Sequence, residues 1–211
     1  MTLQKRAEVT RAAIIDGAAK AFEALGYGNT SLTDVAGHAE VTKGALYFHF
    51  KSKEDLAMAV IDEQHARVRM ATQEILDRDL PALTAMVLMC REFGHQLCTD
   101  PVVQAGIRLT LEASAFGHAV RGPYEDWITV MEELVRTAQI QGDVRPELRA
   151  SALARFIVAS FTGVQMVSDV LTEREDVMER IEDMWAVLTA GVVPSERMAN
   201  LGTLLSPPVL S

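Results

Sequence analysis

Cysteine is almost missing from this 211-residue chain: only Cys90 and Cys98 occur, both in one apolar stretch of helical periodicity. Two thiols cannot form a disulfide framework. With no Cys-x-x-Cys pair and no nearby Cys/His quartet, no zinc site or other metal is expected. Small buried thiols in a cytoplasmic protein are the expected reading. The five histidines (38, 49, 65, 95 and 118) are scattered. No nucleophile motif, glycine-rich phosphate loop or metal-ligand spacing accompanies them, so neither an enzyme nor a cofactor is expected. Uninterrupted apolar runs long enough for a membrane span, roughly 18 residues, are lacking, as is a signal-peptide core at the N-terminus. Sustained alternation of apolar and polar residues is lacking too, which removes the main signal for strands.

What the chain has instead is helical periodicity from end to end and a lopsided charge. The formal net charge is −9, but residues 1–53 hold seven Lys/Arg against five Asp/Glu, a net of +2. Residues 54–211 hold 13 basic and 24 acidic residues, a net of −11. A basic head on an acidic body suggests that the head alone meets a polyanion. Helices are predicted over about 9–25, with Gly26 as the stop, then 32–39, 42–48 and 53–77. Ser31 with Asp34 reads as a capping box, Thr42 and Ser52 as caps, and Glu40-Val41 as a turn. Leu80-Pro81 and Asp100-Pro101 place proline in the first turn of two further helices. Residues 115–123 read as a loop, followed by helices over 124–141 (ended by Gly142), 150–171 and 176–192. No internal repeat is evident. The expected fold is all-α, about nine helices: a three-helix helix-turn-helix domain (1–53), a larger helical ligand-binding and dimerisation domain (54–195) and a flexible tail (196–211).

Three short helices in fifty residues fit a helix-turn-helix, in which one helix enters the major groove and another braces it across the backbone. The candidate recognition helix carries Thr42, Lys43, Gly44 and Tyr47. Lys43 can donate to guanine O6/N7, and Tyr47 lies one turn along. Glycine in a short helix costs about 1 kcal/mol relative to alanine, so Gly44 asks for a reason, and close approach of backbone to DNA is one. Tyr47, His49 and Lys53 can reach phosphates. Thr30 and Ser31, where the bracing helix begins, complete the candidate DNA-contacting set. Spacing alone also permits a three-helix packing unit with a solvated polar face.

The string Val41-Thr42-Lys43-Gly44-Ala45-Leu46-Tyr47-Phe48-His49-Phe50-Lys51-Ser52-Lys53-Glu54-Asp55-Leu56 resembles the signature of the TetR family of one-component repressors. Arg11, Ile14-Ile15, Ala18-Ala19, Phe22, Gly26-Tyr27, Thr30, Val35 and Ala36 fall at that family's intervals. The resemblance implies DNA contact at Lys43, Tyr47 and His49, a phosphate at Lys53, and core roles for Val41, Leu46 and Phe50. It also implies a homodimer on a palindromic double-stranded operator, joined by a four-helix bundle of the last two helices of each subunit. Phe156, Phe161, Val164, Val167, Ile181, Trp185 and Leu188 are the candidate interface.

Large amphipathic side chains in the body suggest a small-molecule cavity, with Trp127 as an apolar wall and Tyr124 or Gln165 as an orienting hydrogen-bonding group. Asp100–Leu109, Pro123–Trp127, Phe161–Ser168 and Met184-Trp185 resemble the γ-butyrolactone autoregulator receptors of actinobacteria, a TetR subgroup that controls antibiotic production. That resemblance implies a γ-butyrolactone, butenolide or furan carboxylic acid effector, approached by Gln64, His65, Thr110, Tyr124, Trp127 and Ser160. His65 or Arg108 pairing with a ligand carboxylate would favour a furan acid, whereas Arg108 pairing with Glu112 one turn later would be structural. The alternative is a pseudo-receptor or drug-sensing repressor answering to an antibiotic or a biosynthetic intermediate.

Overall fold

The computed structural model describes residues 3–112 and 120–200. Among these there are nine α-helices and no strand: α1 (Leu3–Asn29), α2 (Leu32–His38), α3 (Lys43–His49), α4 (Lys53–Leu76), α5 (Ala82–Thr99), α6 (Pro101–Glu112), α7 (Gly122–Gln141), α8 (Ala150–Thr172) and α9 (Val177–Val192). The all-α expectation holds. A 3-10 helix, Ser195–Asn200, occupies the start of the expected tail, whose residues 201–211 lie outside the described ones. Of the expected loop at 115–123, residues 115–119 also lie outside, and Pro123 already belongs to α7.

Local chemistry fixes the helix ends. Ser31 and Asp34 form the capping box at α2, and the Thr42 hydroxyl accepts from Ala45 N–H at α3 (3.1 Å). Asp100 Oδ1 accepts from Val102 N–H (2.8 Å) ahead of α6, with Pro101 in the position that needs no donor. Gly142 ends α7 in the left-handed conformation that glycine adopts without a Cβ penalty. Helix α1 differs from expectation at both ends. It begins six residues earlier than predicted, and Gly26 (φ 74°, ψ 160°) breaks it without finishing it.

Packing divides the chain into two compact units, residues 1–69 with 99–120 and residues 70–98 with 121–211. The first therefore takes in α6 and much of α4 beyond the boundary expected at residue 53. Its core sets Ile14, Ile15, Ala18, Phe22, Val35, Leu46, Phe50, Leu56, Val60 and Ile61 against Val102, Ala105 and Leu109 of α6. Gly17 is buried where α1 crosses the turn between α2 and α3: a Cβ there would lie 2.6 Å from the Ala39 backbone nitrogen. Glu40 takes a positive φ (53°) in that turn.

In the second unit every residue from Ala82 to Cys90 is buried, so this part of α5 is enclosed on all sides. Phe93, Trp127 and Phe161 form an aromatic triangle with centroids 4.9–5.4 Å apart. Burial pushes the Cys90 thiol up to about 12, which leaves it unreactive. By length and composition alone helix α8 is apolar enough to cross a membrane, although polar residues interrupt its apolar runs as the sequence shows. Its outward stripe explains the composition. Phe156, Met166, Val167, Val170 and Leu171 are exposed, while Leu153, Ile157, Val158 and Phe161 fill the core.

Candidate functional site

Helix α3 is anchored by Leu46, which is fully buried, and by Phe50 just after its end. The opposite side presents Lys43, Gly44, Tyr47 and Phe48, all exposed. A Cβ built on Gly44 would meet nothing nearer than the Thr42 hydroxyl at 4.0 Å, and Gly44 has no positive φ. Nothing within the described chain therefore requires glycine at this position. His49 is half-buried and meets the Phe48 ring edge-on (5.1 Å).

Three members of the sequence-derived DNA set are occupied inside the fold. Thr30 is 2% exposed, and its hydroxyl donates to the Gly26 carbonyl (2.7 Å), which also accepts the Thr30 backbone N–H (3.2 Å), and to the Ala21 carbonyl (3.2 Å). Thr30 is thus a structural clasp, which corrects its assignment as a DNA contact. Lys53 Nζ donates to the Tyr27 and Gly28 carbonyls (2.8 and 3.3 Å) and lies 4.4 Å above the Tyr27 ring. It covers the end of α1, so any phosphate contact would compete with these bonds. Ser31 is exposed, but its hydroxyl is taken by Asp34, and that bond, first among the causes, holds the Asp34 carboxyl below the usual carboxylate range. What Ser31 keeps for a phosphate is its position at a helix start.

Two arginines tie α1 to its neighbours. Arg67 of α4 bonds Glu63 on its own helix (3.0 Å), Asp16 of α1 (3.1 Å) and, through Nη1, both carboxylate oxygens of Asp100 (2.9 and 3.0 Å). Burial opposes its charge, and these hydrogen bonds outweigh the burial, so its pKa is raised. Arg108 of α6 bonds Glu112 (3.0 Å) and donates to the Glu23 carbonyl of α1 (2.9 Å). The structural alternative for Arg108 is the one observed.

The seven candidate effector residues fall in both units. Gln64, His65 and Thr110 belong to the first; Tyr124, Trp127, Ser160 and Gln165 belong to the second. Gln64 is 3% exposed and packs beneath Gly106, and its buried Oε1 has no hydrogen-bond partner among the described residues. The Thr110 hydroxyl donates to the Gly106 carbonyl (2.8 Å). In the second unit Trp127 stands in the aromatic triangle, Gln165 is buried, and Ser160 is half-buried. Tyr124 is half-buried too, and burial pushes its phenol pKa up.

The candidate interface residues also divide. Phe161, Ile181, Trp185 and Leu188 are buried in the subunit's own core and offer a second copy no surface. Phe156 and Val167 are exposed, and Val164 is half-buried on the same helix. The open apolar stripe is Phe156, Met166, Val167, Val170 and Leu171 of α8, with Val187 of α9. Sequence reasoning left Met166, Val187 and Phe48 out of its sites. For Phe48 the available signal was a large apolar residue one turn after Gly44.

Residues 14–60 match the profile of bacterial regulatory proteins of the tetR family, and residues 80–194 that of the tetracyclin repressor-like C-terminal domain. Over 185 residues the chain is 35% identical to the A-factor receptor protein of Streptomyces griseus, an alignment covering 88% of this chain and 64% of that one. The chain thus spans just under two thirds of that relative's length. It superposes on the crystal structure of a gamma-butyrolactone receptor described as ArpA-like with a TM-score of 0.80 at 33% identity, covering 95% of this chain and 96% of that one. For CprB of Streptomyces coelicolor, solved with its biological operator sequence, the TM-score is 0.78 at 34% identity, with 95% and 96% covered.

Proposed function

Because the chain belongs to the TetR family of bacterial regulatory proteins, we propose that it is a dimeric repressor that binds a palindromic operator and is released by a γ-butyrolactone-like signal. The observation that carries the DNA half is the face of α3: Lys43 and Tyr47 beside a glycine that the fold itself does not need. A groove-facing helix needs donors for base edges and a place where its backbone comes close. One such helix reads few base pairs, so two copies on a two-fold site are required. The exposed apolar stripe of α8 and α9 supports the pairing of subunits. Operator DNA as partner implies a cytoplasmic protein and a regulator in place of an enzyme.

Resemblance to gamma-butyrolactone receptors and to the A-factor receptor supports the signal half. So does Gln64, whose buried, partnerless Oε1 can accept a hydrogen bond from a ligand hydroxyl. Arg108 is committed to Glu112 and the Glu23 carbonyl, which leaves its charge already used. That removes Arg108 as the partner of a furan carboxylate and leaves His65 as the remaining candidate for one; an uncharged lactone, which needs only hydroxyl or amide partners such as Gln64, is the reading we take. Coupling runs through the bonds described above: a displacement of α4 or α6 is carried to α1 by Arg67 and Arg108, and α1 supports α2 and α3. To empty the operator, ligand must favour the DNA-incompetent arrangement by several kcal/mol. A gel-shift with a duplex selected from a random pool tests the DNA half. The wild type shifts it, and Lys43→Ala weakens binding about tenfold or more, the loss of one base contact in each half-site. An unchanged affinity in Lys43→Ala would remove α3 from the interface.

A further inference from the structure

Phe48 is 80% exposed, among the most exposed large apolar side chains described. A single surface phenylalanine means little by itself. Its position gives it meaning. Phe48 follows Gly44 by four residues, so the two lie on one ridge of α3, about 6 Å apart along the axis. Space above Gly44 is open, and Lys43 and Tyr47 form the adjoining exposed ridge. Whatever comes close at Gly44 meets the Phe48 ring one turn later. The ring is not drawn into the core: its neighbour is the edge of His49, on the same short helix.

A phenyl ring has no donor or acceptor to offer a phosphate or a base edge. The apolar group that the floor of the major groove does present is the thymine C5-methyl. Resting on the operator reading above, we propose that Phe48 is a specificity-determining residue that packs on the methyl group of a thymine in each half-site. The charge of Lys43 and the open backbone at Gly44 bring the helix down, and Phe48 then separates thymine from cytosine and from unmethylated uracil at one position. The contact adds discrimination without adding a hydrogen bond.

The test uses the full chain and a duplex selected from a random pool by the wild-type protein. Each thymine of the half-site is replaced in turn by uracil, which deletes the methyl and keeps every hydrogen-bonding group. Affinities are read by fluorescence anisotropy at fixed salt for wild type, Phe48→Ala and Phe48→Leu. One uracil position should weaken the wild type by about three- to sixfold, the transfer value of one methyl group. Phe48→Ala should bind the thymine duplex more weakly and be indifferent to that uracil, whereas Phe48→Leu, still apolar, should keep part of the sensitivity. Because the side chain is exposed, both variants should melt with the wild type, and their shared melting temperature makes the affinities comparable. If Phe48→Ala keeps wild-type affinity, or loses a further three- to sixfold on the uracil duplex, the ring is not on that methyl and the inference falls alone. If the wild type selects no duplex at all, the operator reading falls and takes this inference with it.

Discussion

Gly17→Ala is the smallest substitution that separates local helix chemistry from the architecture of the DNA-binding unit. In an isolated helix the change would stabilise by about 1 kcal/mol, since alanine is the better helix former. In this structure the new Cβ would sit 2.6 Å from the Cβ and backbone nitrogen of Ala39 and 2.7 Å from its Cα. Carbon contacts are comfortable at about 3.5–4.0 Å, so about 1 Å must be found. The obstacle is the backbone of the turn between α2 and α3, which no side-chain rotation can relieve. Overpacking of this kind costs about 1–3 kcal/mol, and a clash against backbone lies at the upper end, so the net effect, after the propensity gain, is a loss of up to about 2 kcal/mol. For a chain of this length that lowers the melting temperature by up to about 8 °C. The turn that must move carries α3, and a base contact worth about 1–3 kcal/mol in each half-site depends on its placement. Operator affinity should therefore fall about tenfold or more. Gly28→Ala is the control, since a Cβ there meets nothing within 4 Å. Calorimetry and anisotropy on the two variants give the answer. A Gly17→Ala protein as stable as wild type, with undiminished affinity, would refute the claim that this glycine seats the helix-turn-helix.

Gln64→Met should stabilise the free protein by about 1 kcal/mol, because it removes a buried acceptor without a partner, and should blunt release of DNA by effector; a lower melting temperature would contradict this. Val170→Glu, at a position 81% exposed on the α8 stripe, should convert a dimer to a monomer in sedimentation and leave the subunit folded. A dimer that survives would move the interface elsewhere. Hydrogen bonds from Ser168 and Thr172, with Arg180 alongside, hold the Asp176 carboxyl down at about 2. A depressed pKa contributes stability that is complete above the ordinary carboxylate value and disappears as pH falls toward about 2. The melting-temperature gap between wild type and Asp176→Asn should accordingly close between about pH 5 and about pH 2; a gap that persists unchanged would assign the effect to something other than charge.

Helix ends were the most legible part of the sequence, because their chemistry is local. Ser31 with Asp34, Asp100 with Pro101, and Gly142 act within one turn of where they stand. The start of α1 was hidden because residues 4–8 favour helix without displaying an apolar period. Thr30 and Lys53 carry structural bonds that the sequence did not announce. The Thr30 hydroxyl turns back to the Gly26 carbonyl four residues earlier, and Lys53 reaches the Tyr27 carbonyl 26 residues away, a partner that only the fold brings near. On α8 the difficulty is one of symmetry. Apolar residues occupy both faces, so periodicity cannot tell whether Phe156 or Phe161 points outward; the packing of Phe161, stacked on Phe93 and edge-to-face with Trp127, decides it. Gly44 was flagged by its propensity cost and by its place in the Val41–Leu56 string, and the open space above it is what the structure adds.

Whether one protein holds operator DNA and yields it to a neutral lactone signal is decided by an anisotropy titration of the preformed complex between the wild type and its selected duplex. Into parallel samples go a synthetic γ-butyrolactone carrying a hydroxyl group, a butenolide, and a furan carboxylic acid of matched alkyl length. The lactone should dissociate the complex at the lowest concentration, and Gln64→Met should shift its midpoint upward. A complex that survives saturating amounts of all three compounds would contradict release by such a signal.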